Sequence, residues 1–284
     1  MVSRSVEIHA HRGGRSRFPE NSIPAVLAAA ELGITAVELD LLVSGDRRIV
    51  VSHDPWMSAR WCRCPSSLLS SVGSRERLVL YSMPYDLIRR CECLSAGASH
   101  RAVKPLLCDL VEAVERSACA VPGRPPLIYN LEVKSWPEYD GVYHPPPDEY
   151  VRLLLDQPCL AAVRSRVRFQ SFDVRILREL HVQDPSLPLG LLVGPDEDVH
   201  RKVVTSGCMP SFVLPHESAV TRELVAGLHR RGSRVIAWTV NDPARMSVLL
   251  SLGVDGLITD DPAAALSLLS EAGRAVKGGG KSVH

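Results

Sequence analysis

Four short blocks in this chain each end an apolar run and together hold two histidines, three carboxylates, an arginine and a lysine. They are His11-Arg12-Gly13-Gly14, Glu38-Leu39-Asp40, His53-Asp54 and Glu132-Val133-Lys134. Residues two apart on a strand share a face, so Glu38 with Asp40, and Glu132 with Lys134, each aim two polar groups at one space. Glu38, Asp40 and Glu132 would supply hard oxygen ligands for Mg2+ or Ca2+. A single carboxylate at a strand end is usually a solvated loop residue or a helix cap. Two such pairs on neighbouring strands would repel strongly without a cation between them. His11 and His53 could flank the same space, one accepting a proton and the other donating one. Arg12 offers a planar donor fork suited to phosphate and Lys134 a point charge beside Glu132. His9, His100, His181, His200, His216 and His229 have no such neighbours and are read as core or surface histidines.

The elements that must position these groups follow an alternating β and α pattern. Strands are expected at Val6 to Ala10, Ala36 to Leu41, Leu127 to Val133, Val167 to Ser171, Leu187 to Leu192, Phe212 to Leu214, Arg234 to Thr239 and Gly256 to Thr259. Helices are expected from Ser22 to Leu32 and from Leu106 to Ser117, and another starts at Asp242 with Pro243 in its first turn. Eight strands separated by helices suit a closed (β/α)8 barrel of the TIM type, although the alternation would also fit an open doubly wound sheet. Ile49 to His53 follows a turn at Ser44-Gly45-Asp46 and reads as a hairpin return outside the barrel. Pro55 to Lys104 is then an insertion after the second strand. The barrel is expected over residues 1–272, with a flexible tail over 273–284.

Length and composition allow this. A chain of 284 residues with 45% hydrophobic content can bury the core of one α/β barrel. Lys+Arg 33 against Asp+Glu 32 gives no field that would draw nucleic acid or an anionic membrane, so a small substrate recognised locally is expected. No transmembrane run or apolar leader is visible, which points to a cytoplasmic location. Most of the eight cysteines are expected as buried thiols. The two Cys-x-Cys units, Cys62/Cys64 and Cys91/Cys93, lack a neighbouring histidine, which favours contact or a disulfide between them over zinc. Cys62 and Cys93 are the expected pair, as free thiols in the cytosol or as a bond if the protein is exported.

The chain resembles the glycerophosphodiester phosphodiesterase family. The resemblance is carried by His11-Arg12-Gly13, Pro19-Glu20-Asn21-Ser22, Val37-Glu38-Leu39-Asp40, Val51-Ser52-His53-Asp54, Asn130-Leu131-Glu132-Val133-Lys134, Gln170-Ser171-Phe172, Trp238-Thr239-Val240-Asn241 and Asp255-Gly256-Leu257-Ile258-Thr259-Asp260. These blocks stand in family order along nearly the whole chain. The resemblance implies a (β/α) barrel with one divalent cation, and hydrolysis of a glycerophosphodiester to sn-glycerol 3-phosphate and an alcohol. It implies His11 and His53 as the acid–base pair and Arg12 and Lys134 as phosphate binders. It further implies Glu38, Asp40 and Glu132 as metal ligands, Glu20 and Asn21 as supports of the first loop, and Trp238 as a pocket wall. Two departures stand out: Ser22 replaces the usual Thr, and Gly45-Asp46-Arg47-Arg48 replaces the usual Asp-Gly turn, which bears on where His53 is held.

Two other uses of the same barrel are weighed. A lysophospholipase D-like enzyme would need an apolar path for a lipid, for which Trp56, Met57 and Trp61 in the insertion are candidates. A non-catalytic phosphate-binding barrel would have no need of both histidines and all three carboxylates.

Overall fold

Strict alternation along each strand builds the architecture. A computed structural model describes residues 6–71, 78–95, 97, 99–119, 126–207 and 209–278. Its main strands are Glu7–Ala10, Ala36–Val43, Ile128–Val133, Val167–Ser171, Leu189–Val193, Phe212–Pro215, Arg234–Ala237 and Gly256–Thr259. Each pairs in parallel with the next, and the first pairs with both the second and the last, which closes the eight into a barrel. Ile8, Leu39, Leu131, Phe169, Leu191, Val213, Val235 and Leu257 face outward and pack under the helices as the main core.

The alternate residues face inward, and they divide the lumen. Strands one to four send in Glu7, His9, Glu38, Asp40, Asn130, Glu132, Arg168 and Gln170, whereas strands five to eight send in Leu192, Phe212, Leu214, Ile236 and Ile258. Gly190 leaves room in this crowded interior: a Cβ there would come within 2.7 Å of Leu214 Cδ1. At the N-terminal end Glu7 accepts hydrogen bonds from Arg168 and Arg234 at 2.6 and 2.7 Å. Burial alone would raise the Glu7 pKa, but His9 and Arg168 hold it well below the usual range. From His9 a chain of polar contacts runs through Asn130 and Gln170 to Glu38.

Most helix ends carry the signals seen in the sequence. Ile23–Glu31 starts on Ser22, whose Oγ accepts from Ala25 N, and Pro243–Leu252 starts on Asp242 and closes on Gly253 at φ 91°. The helix Leu107–Cys119 follows the insertion. Pro262–Gly278 continues past Gly273, where the sequence reading begins a tail, and 279–284 lie outside the described residues. Among the described residues no helix is long and apolar enough to cross a membrane.

Ile49–Val51 runs antiparallel to the second strand, as the expected hairpin return. The insertion that follows is a small cap with its own three-stranded antiparallel sheet, Cys62–Arg63, Glu92–Leu94 and Arg101–Ala102. It has its own apolar core as well, built on Met57, Leu80, Met83, Tyr85 and Ile88. Cys62 stands opposite Cys93 in this sheet and bonds to it, and Cys64 bonds to Cys91. A third bond, Cys108–Cys159, ties two barrel helices together. The expectation of mostly free buried thiols is therefore corrected, because adjacent register in the cap and facing helices in the barrel bring six of the cysteines into pairs.

Candidate active site

At the C-terminal end of the barrel one cleft of about 220 Å³ is lined by His11, Arg12, Glu38, Asp40, His53, Glu132, Lys134 and Trp238. The structure thus brings together eight of the ten residues singled out in the sequence. The other two stand directly behind them: Glu20 accepts from Arg12 Nη1 at 2.9 and 3.0 Å, and Asn21 is buried against Asp40.

The first loop is held by unusual backbone. His11–Gly13 is a single 3-10 turn with Arg12 at φ 51°, and Asn21 also lies in the left-handed region at φ 56°. Asn21 N donates to Arg12 O at 2.8 Å, Asn21 Nδ2 donates to Asp40 Oδ2 at 2.8 Å, and Asp40 N donates back to Asn21 Oδ1 at 3.1 Å. Gly13 must be small as well as left-handed, because a Cβ there would meet Val26 Cγ2 at 2.9 Å. The loop is thereby locked to the strand that carries Glu38 and Asp40.

His53 is reached through the hairpin. Ser44 and Asp46 close the turn in place of the usual Asp-Gly: Ser44 Oγ donates to Asp46 Oδ1 at 2.6 Å and accepts from Arg48 N at 3.0 Å. Ser52 N then donates to Asp40 O at 2.9 Å, which sets His53 beside the carboxylates.

Carboxylate oxygens of Glu38, Asp40 and Glu132 lie within 4.8 Å of one another, and all three residues are buried. Burial raises the Glu38 pKa well above its ordinary value, and the neighbouring Asp40 and Glu132 raise it further. Glu132 is raised chiefly by burial, against the pull of Lys134. Asp40 is penalised by burial too, yet Lys134, His53 and Arg12 hold its pKa far below the usual range. Lys134 Nζ sits 3.0 Å from Asp40 Oδ1 and 2.7 Å from Glu132 Oε1. Burial and the neighbouring acids disfavour the charge of Glu38, which a hard divalent cation would relieve, so the donor set fits Mg2+ or Ca2+. Arg12 Nε is buried with no hydrogen-bond partner among the described residues, a donor suited to an anion in the cleft.

Two carboxylates that sequence reasoning left without a role hold the histidines. His11 Nδ1 lies 2.5 Å from Asp260 Oδ1, and His53 Nδ1 lies 2.8 Å from Asp54 Oδ1. Burial, the largest single effect, raises the Asp260 pKa, but the hydrogen bond and charge of His11 together with Asn241 and Arg15 outweigh it and the net shift is downward; in Asp54 the His53 hydrogen bond is the leading cause of the lowering. With Nδ1 engaged, Nε2 is the nitrogen free to exchange a proton with a ligand. Asp54 could have been found from its adjacency to His53, whereas Asp260 is 249 residues from His11 and only barrel closure joins them. Opposite the charged groups stand Phe172, Leu192, Trp238 and Ile258. Trp238 donates from Nε1 to Leu214 O at 2.7 Å and meets Phe172 edge-on.

Comparison with known proteins places nearly the whole chain among its relatives. A chain named glycerophosphodiester phosphodiesterase from Caldanaerobacter subterraneus is 26% identical over 273 residues, covering 93% of this chain and 98% of its own. A solved structure described as a putative glycerophosphoryl diester phosphodiesterase from Silicibacter pomeroyi superposes with a TM-score of 0.79 at 26% identity over 95% of each chain. An Oleispira antarctica phosphodiesterase, solved in complex with the product sn-glycerol-3-phosphate, shares the fold with a TM-score of 0.72 at 19% identity over 93% of this chain and 96% of its own. The profile of the glycerophosphoryl diester phosphodiesterase family matches residues 11–264, and the chain belongs to that family.

Proposed function

We propose that the protein hydrolyses glycerophosphodiesters to sn-glycerol 3-phosphate and a free alcohol, using a divalent cation, Mg2+ or Ca2+, held by Glu38, Asp40 and Glu132. The observation that carries this reading is the convergence of those three buried carboxylates in one cleft with two histidines, each tied to an acid through Nδ1. When bound, the cation would act as a Lewis acid on the phosphate oxygens. Arg12 contributes a buried guanidinium whose Nε makes no hydrogen bond among the described residues and lies 3.4 Å from Asp40 Oδ2, and Lys134 adds a second positive charge. These groups are fixed before substrate arrives, so they stabilise developing charge without reorganising.

His11 and His53 move the protons. One takes the proton of the substrate's glycerol 2-hydroxyl, or of a water, as that oxygen attacks phosphorus. The other protonates the departing alcohol oxygen. Attack by the internal hydroxyl gains from effective molarity and yields a cyclic phosphate, which water then opens with the two histidines in reversed roles. Asp260 and Asp54 hold each ring through Nδ1 and so keep it oriented. The Oleispira barrel solved with sn-glycerol-3-phosphate supports the product assigned here.

The lipid reading has less support. Met57 is buried in the cap's core, Trp61 packs against that core and Trp56 meets Tyr143 edge-on, so the three do not form an open apolar path. A panel of glycerophosphodiesters, assayed after chelation and again after adding back Mg2+ or Ca2+, tests the proposal. Turnover that disappears on chelation and returns with metal is expected. Full activity in chelator would remove the cation from the mechanism, and failure to cleave any member would remove the function.

A further inference from the structure

Between the cap and the barrel lies a second, smaller cavity, of about 50 Å³, whose walls include Arg15, Phe18, Glu20, Asp54, Trp61 and Lys104. It backs onto the cleft through two carboxylates that hold cleft residues, since Glu20 binds Arg12 and Asp54 binds His53.

The charges around this cavity are unequally satisfied. Glu20 is shared by Arg12 and Arg15, at 2.9 and 3.0 Å, and Asp54 is taken up by His53 at 2.8 Å. Lys104 differs from the rest. Its Nζ donates to Ser52 Oγ at 2.7 Å, and among the described residues no carboxylate forms an ion pair with it. An ammonium carries three donors, so two remain to be met by solvent or a ligand. The position is well fixed: Tyr85 donates to Lys104 O at 3.1 Å, and Val51 N donates to the adjacent Pro105 O at 2.9 Å. Burial lowers the Lys104 pKa and outweighs the pull of Glu20, Asp54 and Asp40, none of which forms an ion pair with it.

We infer that Lys104, with Arg15 beside it, is a specificity residue that selects glycerophosphodiesters whose alcohol carries a carboxylate. The inference rests on the phosphodiesterase reading above. It places the leaving alcohol on the His53 side of the cleft, reaching toward the cap. There an acidic alcohol gains a charge-assisted hydrogen bond, and a purely cationic one meets an ammonium whose nearby carboxylates are already engaged.

Glycerophosphoserine and glycerophosphoethanolamine differ by one carboxylate, which makes them the test pair. The metal-loaded full-length enzyme is expected to show kcat/KM about tenfold or more in favour of the serine diester, the size of one charged hydrogen bond. Lys104→Met should bring the ratio near one and Lys104→Glu should reverse it, while Lys104→Arg, which keeps the charge, should keep the preference. Equal or better use of the ethanolamine diester by the unaltered enzyme overturns the inference and leaves the phosphodiesterase reading standing. So does a ratio that Lys104→Met and Lys104→Glu leave unchanged. Failure to cleave either diester, or any other glycerophosphodiester, overturns both.

Discussion

Glu38 sits where burial, two neighbouring acids and the backbone N–H of Arg12 meet, and its environment works against its charge. Replacing it with Gln keeps the shape and removes that charge. Glu38→Gln should therefore raise the melting temperature of the chelated protein by about 2–4 °C, the equivalent of roughly 1 kcal/mol for a chain of this size, while turnover falls by about 10²–10³-fold. Calorimetry in chelator and kcat in metal check the two halves, and a lower melting temperature with normal turnover would refute both. His11→Ala and His53→Ala should each cut kcat by about 10²–10⁴-fold with the fold intact, and near-normal kcat in either variant removes that ring from proton transfer. The local spacing rule sufficed for the residues of the cleft: Glu38 with Asp40 and Glu132 with Lys134 do share a face, and Asp40 stands in register with Glu132 on the neighbouring strand. Asp260 and Lys104 were not legible as site residues, because each gains its place only when distant segments close on one another.

At the level of elements, the eight strands and the hairpin return could be read from β-rich runs and their turn residues, with ends shifted by a residue or two where a strand fades into its loop. The cap could not. Its strands are two or three residues long, too short to show a period, and its core forms between segments far apart in sequence. Its bonds are nested, since Cys64–Cys91 lies inside the loop already closed by Cys62–Cys93, while Cys108–Cys159 closes an independent loop of 51 residues. On the chain-entropy account, losing the Cys108–Cys159 bond should cost about 3–4 kcal/mol, and losing the inner cap bond distinctly less, because the outer bond already restrains that loop. Denaturant unfolding of Cys108→Ala and Cys64→Ala gives the comparison, and a larger loss for Cys64→Ala would sink it.

Over the whole molecule, two sets of carboxylates pull stability in opposite directions with pH. Glu7, Asp40, Asp54 and Asp260 have lowered values, so their contribution is present above the ordinary carboxylate range and is lost as pH falls through their folded values. Glu38 and Glu132 have raised values, so theirs is present at low pH and is lost as pH rises through those values. The chelated protein should accordingly be most stable in mild acid. Saturating divalent cation should move that optimum toward neutrality by favouring the ionised cage. Melting curves against pH, with and without metal, test this, and superimposable profiles would contradict it. The divided lumen has a different kind of consequence. Its polar inward residues all come from the chain before Ser171 except Arg234, while the apolar wall comes from Phe172 onward. Variation at Phe172, Leu192, Trp238 or Ile258 can reshape the space offered to a ligand without disturbing any charged group of the cation cage. A library confined to those four positions would therefore explore new substrates from a background that keeps its chemistry, which makes the second half of this barrel the place for selection to work.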